Sequence, residues 1–327
     1  MQTIEGIHHI TAIAGDPQRN VDFYTEVLGL RLVKLTVNFD DPGTYHFYFG
    51  NQRGAPGSIL TFFPWVGVRR GTVGNGQVSA TTFAVPSGSL DYWRERLART
   101  GTPVEDAGLR FGEPVLRFGD PDGLPLEVIA TGHARPDEAW TGSQVAADAA
   151  ICGFHSATLA EEGYEKTVDL LQRVMGFRLI GSEGNRFRYR AADGEAGAIV
   201  DVICAPDGKY GRLGSGTVHH IAWRTPDDTQ QLAWRETLVD GGYNVSPVMD
   251  RTYFHSIYYR EPGGILFEIA TDPPGFAFDE PLEHLGERLM LPPQVEPHRS
   301  TLEQALPRLM LPHQKSEVGP RSNVTHA

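Results

Sequence analysis

Two pairs of consecutive histidines and one glutamate are the residues best suited to chemistry: His8-His9, His219-His220 and Glu268. The pairs sit in apolar, strand-like runs, Ile7-His8-His9-Ile10 and Thr217-Val218-His219-His220. The glutamate closes Gly263-Gly264-Ile265-Leu266-Phe267-Glu268, roughly fifty residues after the second pair. Such groups do not belong in a sheet core alone, because a buried charge is costly unless it is paired or metal-bound. Two imidazole nitrogens and one carboxylate oxygen make the three-donor face of open non-haem Fe(II) sites. Adjacent strand residues point to opposite faces, so a regular strand turns only one imidazole of each pair to an ion. His8 and His219 then need a bulge, or the task of holding their neighbours.

A second cluster precedes the glutamate, from Asp250 through Arg251-Thr252-Tyr253-Phe254-His255-Ser256-Ile257-Tyr258-Tyr259 to Arg260. Alternation puts Arg251, Tyr253, His255, Ile257 and Tyr259 on one face, with Thr252, Phe254, Ser256 and Tyr258 on the other. Aromatic residues also suit any strand. Beside a metal, however, Arg251 could hold a phenolate, and His255 or Tyr258 could move its proton.

Internal repetition shows which elements must position these groups. Each of four copies reads as a strand, a helix closed by glycine, and further strands with glycine-rich turns. In the first copy Asp16 and Pro17 start a helix lined by Val21, Tyr24, Val27 and Leu28, and Gly29 ends it. Ser89 is expected to cap the second helix, with Leu90, Trp93 and Leu97 facing the core. The third helix presents Val168, Leu171, Val174 and Met175. The fourth, capped by Asp227, presents Leu232 and Leu238. Asp120-Pro121-Asp122-Gly123 and Glu261-Pro262-Gly263-Gly264 are equivalent turns.

A single βαβββ unit leaves a sheet face exposed, so units must pair. The expected fold is α+β: four βαβββ units in two pseudosymmetric regions over residues 5–133 and 150–272, then a tail over 273–327. Residues 132–149 read as the linker, and the chain beyond Lys315 is expected to be loosely ordered.

Aligning the copies by their turns gives first-strand positions His9, Ala80, His155 and His220. Last-strand positions are Phe62, Glu127, Val202 and Glu268, with Asp201 one place off register. Pairing neighbouring units would assemble His155, His220 and Glu268, whereas pairing the outer units would assemble His9, His220 and Glu268. Spacing alone does not choose. The matched doublets favour the outer pair, with Phe62 facing an open side, and leave Glu127 and His155 to make a buried hydrogen-bonded contact.

Composition sets outer limits. The chain has 327 residues, 40% apolar and 21% charged, with a net charge of −12. That charge disfavours nucleic acid or an acidic membrane as partner. No apolar run approaches the ~20 residues of a membrane span. The start of the chain lacks the basic and apolar regions of a signal peptide, so a cytoplasmic location is expected. Cys152 and Cys204 read as core thiols rather than a disulfide. Homo-oligomer formation is left open.

With these residues in place, the chain resembles the vicinal oxygen chelate (glyoxalase/extradiol dioxygenase) superfamily. More closely it is similar to the Fe(II) ring-cleaving dioxygenases that act on hydroquinones. The likeness runs from Gly6-Ile7-His8-His9-Ile10-Thr11 through Leu30-Arg31-Leu32-Val33-Lys34, Tyr45-His46-Phe47-Tyr48-Phe49-Gly50 and Gly184-Asn185-Arg186-Phe187-Arg188-Tyr189-Arg190 to Glu268. It implies iron, with Mn(II) as the alternative, held by His9, His220 and Glu268. It further implies supporting or substrate-binding roles for His8, Thr11, His219, Arg251 and Tyr258. His255 departs from the family pattern and points to a different substrate or acid–base arrangement. The implied reaction joins an aromatic diol to O₂ and opens its ring. Two other classes compete: a glyoxalase-type isomerase, which favours four protein ligands, and a metal-free binding protein of the resistance type, which has no use for matched imidazoles.

Overall fold

The computed structural model describes residues 3–191 and 197–317. The first unit supplies strands β1 (Ile7–Ala14), β2 (Arg31–Val37), β3 (Tyr45–Gly50) and β4 (Ile59–Pro64). The second supplies β5 (Gln77–Pro86), β6 (Val104–Arg110), β7 (Glu113–Gly119) and β8 (Pro125–Thr131). The third supplies β9 (Gly153–Glu161), β10 (Arg178–Glu183), β11 (Arg186–Arg190) and β12 (Ile199–Cys204). The fourth supplies β13 (Thr217–Thr225), β14 (Met249–Asp250), β15 (His255–Arg260) and β16 (Leu266–Thr271). Two curled eight-stranded sheets result, ordered β14-β15-β16-β13-β1-β4-β3-β2 and β10-β11-β12-β9-β5-β8-β7-β6. The expected α+β architecture of paired βαβββ units is therefore present. The outer units share one sheet through the antiparallel β1–β13 pair, and the inner units share the other through β5–β9.

Local sequence explains most helix boundaries. Asp16 accepts the Arg19 N–H, and Gly29 leaves the first helix at φ +70°. Asp227 accepts the Gln230 N–H and starts the helix Asp228–Asp240. Two expectations fail. Ser89 does not cap its helix, because its hydroxyl donates to the Pro86 carbonyl instead. Leu232 is 52% exposed, since the face turned to the sheet is Gln231, Trp234 and Leu238. In the third helix Leu170, Leu171 and Met175 are buried, with Val168 and Val174 packed at their margin. Cys152 is buried and Cys204 half-buried, both unbridged.

The tail is fastened to the outer sheet. Lys34 is fully buried and pairs with Asp279 (2.6 Å) and Glu280 (2.5 Å), while Tyr253 donates to Asp279 (2.9 Å). Most of the segment beyond Lys315 lies outside the described residues.

The two sheets also meet at a pair of carboxyl groups. Glu161 at the end of β9 is 1% exposed, and its carboxyl group lies where a Cβ on Gly263 would stand, so the side chain packs directly against that glycine. Burial, then the neighbouring Glu261, raises the Glu161 pKa to about 8. A folded pKa above the unfolded value means a contribution that is complete below about pH 4.3 and lost as pH rises through about 8. Thermal melts should therefore fall between pH 6 and pH 8.5 in the wild type. Glu161→Gln should flatten that decline by about 3 °C or more; parallel curves would reject this origin.

Candidate metal centre

The doublets reach the site through two matched irregularities. The β1–β13 register passes from Ile7↔Trp223 to His9↔Ala222, and from Thr11↔His220 to Ala12↔Val218. The skipped residues are His8 and His219, so each doublet contains a bulge, which re-aims side chains that strict alternation would separate. His9, His220 and the β16 residue Glu268 are thereby brought together; their donor atoms lie within 4.8 Å of one another, the one such group among the described residues.

The separations test whether an ion fits. His220 Nε2 is 3.0 Å from Glu268 Oε2, His9 Nε2 is 3.4 Å from the same oxygen, and the two Nε2 atoms are 3.4 Å apart. Donors about 2.1 Å from one ion lie about 3.0 Å apart at right angles and about 3.4 Å apart at tetrahedral angles. The set therefore fits a transition-metal ion. Glu268 is fully buried, and its Oε2 accepts no well-directed hydrogen bond. Its other oxygen accepts from Ser256 Oγ at 2.5 Å, which fixes the carboxylate.

Each ligand imidazole is oriented by its doublet partner. His8 Nδ1 lies 2.9 Å from His9 Nδ1, and His219 Nδ1 lies 2.8 Å from His220 Nδ1. If His9 and His220 offer Nε2 to an ion, their protons sit on Nδ1 and are donated to His8 and His219. Burial lowers the pKa of His8 and His220, and holds His219 at about 3. Burial alone would raise the Glu268 pKa, but His9 and His220 outweigh it and keep the carboxylate ionised. Where His9 and His220 turn an Nε2 lone pair to the site, the unsolvated carboxylate is left as a buried negative charge. A bound cation compensates it.

A cavity of about 320 Å³ opens onto this group and is lined by His219, Arg251 and Tyr258 among others. Arg251 Nη2 donates to Asp40 (3.0 Å) and Nε to the Tyr258 hydroxyl (3.3 Å). Arg251 and Tyr258 share this face because Thr252 sits at φ +66° and breaks the alternation expected before β15. Regular alternation within β15 puts His255 on the face opposite Tyr258. Its Nδ1 meets Asp228 at 2.6 Å on the outer helix, so His255 is not in the cavity, contrary to expectation. Thr11 is also absent from the cavity wall. It is fully buried and contacts Thr61 Oγ1 at 2.7 Å.

The aligned positions need one-residue corrections. Glu268 pairs with Ala222, two places after His220, and the residue opposite the second place after His9 is Thr61, not Phe62. Phe62 points into the helix-side core, with its ring 4.6 Å from Tyr24. Gly153 (φ +143°) matches Gly6 (φ +140°), which makes His155 the counterpart of His8, and Ser156 that of His9. By the same register Asp201, not Val202, matches Glu268, because it pairs with Thr158. His155 and Glu127 do not bond each other as expected. His155 contacts Ser156 (3.1 Å) and Glu113 (3.2 Å), whereas Glu127 is held by Arg110 (2.5 and 2.8 Å) and Thr82 (2.8 Å). Guanidinium groups take the place of a cation in the inner sheet. Strand alternation does not reveal Asp40, His46 and Tyr48, all on the cavity wall. A polar pair two apart, His46 and Tyr48, was the available signal.

Comparison with known proteins agrees with this architecture. Residues 6–128 and 153–269 match the family model described as the Glyoxalase/Bleomycin resistance protein/Dioxygenase superfamily, and the chain belongs to that superfamily. Within it, the chain groups with ring-cleaving dioxygenases. It is 54% identical over 301 residues to MhqO of Bacillus subtilis (strain 168), provisionally named a ring-cleaving dioxygenase, covering 92% of this chain and 95% of that protein. It is 37% identical over 304 residues to a chlorohydroquinone/hydroquinone 1,2-dioxygenase of Sphingobium indicum, covering 90% and 94% of the two chains. A crystal structure of a provisionally assigned dioxygenase from Bacillus subtilis superimposes with a TM-score of 0.91 at 53% identity, covering 95% of this chain and 99% of that one. Glyoxalase I from Zea mays shares the fold alone, at 14% identity and a TM-score of 0.61 over 86% of this chain and 97% of that one.

Proposed function

We propose that this chain opens the ring of a hydroquinone or catechol with O₂, using Fe(II) held by His9, His220 and Glu268. The observation that carries the reading is the buried, ionised Glu268, whose Oε2 lacks a well-directed hydrogen bond and faces two imidazole nitrogens. Bound iron would supply an electron path between an electron-rich ring and O₂ and would favour the phenolate form of the substrate.

The protein's own groups do the rest. Arg251, fixed by Asp40, places a permanent cation on the cavity wall and offsets phenolate charge. Arg251 occupies a lone pair of the Tyr258 oxygen, which leaves the Tyr258 O–H to be donated to the substrate. Burial, then the Glu268 charge, raises the Tyr258 pKa against the lowering by Arg251, so it acts as a donor rather than a base. In the tautomer set by His220, His219 presents Nε2–H at the cavity. His8 acts behind His9 by orienting its ring. Thr11 acts through Thr61 rather than by touching substrate. Phe39, Phe63 and Trp65 give the cavity flat apolar walls suited to one aromatic ring. Thr61, where a fourth ligand would stand, leaves the three-donor arrangement open for this chemistry rather than that of a four-ligand isomerase.

Anaerobic loading with Fe(II), and separately with Mn(II), followed by oxygen uptake with hydroquinone and catechol side by side tests this reading. Uptake matched to loss of the ring chromophore is expected with Fe(II). No uptake with either diol under either metal would end it.

A further inference from the structure

The outer sheet carries a second polar line that the preceding assignment leaves unused. His46 Nδ1 lies 2.9 Å from the Tyr48 hydroxyl, His46 Nε2 lies 2.9 Å from Thr61 Oγ1, and Thr61 Oγ1 lies 2.7 Å from Thr11 Oγ1. All four residues are buried, and His46 and Tyr48 face the cavity that holds the candidate ligands.

Pseudosymmetry gives the line its meaning. Tyr48 pairs with Thr61 across β3–β4, as Tyr258 pairs with Glu268 across β15–β16. Thr61 and Glu268 are themselves equivalent, two places beyond His9 and His220 on the neighbouring strands. The fold therefore sets two tyrosines at matched positions around one cavity. With His46 donating Nε2–H to Thr61, the tyrosine hydroxyl groups are committed in opposite senses. Arg251 can only donate, so it occupies a lone pair of Tyr258 and leaves that O–H free. A neutral imidazole that gives its single N–H to Thr61 has only a lone pair left at Nδ1, and that lone pair takes the Tyr48 O–H. Burial lowers the His46 pKa and keeps the ring neutral, as this arrangement requires. Tyr48 is then left with acceptor capacity toward the cavity.

We propose that Tyr48, polarised by the His46–Thr61–Thr11 line, accepts the hydrogen bond of the substrate hydroxyl that is not held at the His9/His220/Glu268 group, and so selects diols over their monoethers. This rests on the ring-cleavage reading and adds a specificity-determining residue to it. A free hydroxyl can donate to Tyr48, whereas a methoxy oxygen has no proton to give and leaves the Tyr48 lone pair without a partner. A site built around such a bond discriminates strongly against the analogue that lacks it. His46 is a positioning residue, since its nitrogens meet protein groups and it acts through Tyr48.

The test uses the metal-loaded full chain, with hydroquinone and 4-methoxyphenol as probes. Anaerobic binding of both should be titrated in the wild type, Tyr48→Phe and His46→Phe. The wild type should bind hydroquinone at least about tenfold more tightly than 4-methoxyphenol. Tyr48→Phe keeps the ring and its packing, and should bring that ratio to about one by weakening hydroquinone alone. His46→Phe should reduce the ratio in the same direction, while a purely structural role would weaken both probes together. An unchanged ratio in Tyr48→Phe, with oxygen uptake by the wild type intact, overturns this inference alone. Absence of uptake in the wild type overturns it together with the reading on which it rests.

Discussion

Alanine in place of His9, His220 or Glu268 should each remove bound metal and abolish oxygen uptake, a loss of more than about 100-fold. His155→Ala should retain most of both. The contrast follows from position. His9 and His220 come from the two central strands of the outer sheet and meet Glu268 on the strand beside them. His155 belongs to the inner sheet, where it spends its nitrogens on Ser156 and Glu113. Metal content and uptake should be measured on the same samples. A variant that fails to fold would lose both for an uninteresting reason, so His9→Gln and Glu268→Gln, which keep volume, belong in the series. Full metal content and uptake in His9→Ala, with loss of both in His155→Ala, would reject the assignment.

The inner sheet should respond to mutation in the opposite way, through stability. Asp201 is fully buried and accepts from Arg188 Nε (2.8 Å) and Arg186 Nη1 (2.9 Å). Its removal takes the shared carboxylate from two guanidinium groups, leaving Arg188 with Glu113 and Arg186 with Thr158. Asp201→Ala should therefore destabilise the fold by about 3–5 kcal/mol, read from urea unfolding. The metal content of the remaining folded protein should not change. A loss under about 1 kcal/mol would show that the cluster is solvated or redundant. Loss of metal without loss of stability would place Asp201 in the catalytic half instead. The two sheets thus divide the work of a duplicated architecture: one uses its central strands to gather donors for an ion, while the other fills the matching place with internal ion pairs.

Much of this division can be read from residues alone. The doublets His8-His9 and His219-His220 announce themselves because consecutive imidazoles have no role in an ordinary strand. The glycine-closed helices and repeated Asp-Pro and Glu-Pro turns reveal four copies of one unit, since such signals depend on local backbone preferences. What the chain could not disclose locally is register. Side-chain direction in a strand has a period of two, so a one-residue slip sends a side chain to the opposite face. That slip separates Phe62 from Thr61, Val202 from Asp201, and the supposed role of His155 from its real one. Bulges at His8 and His219 and the left-handed backbone at Thr252 change direction by one residue each, and hydrogen bonds to distant strands set them. Residue types thus determined which chemistry this protein can perform. Tertiary pairing alone decided which side chains meet, because strand register is fixed between segments and not within them.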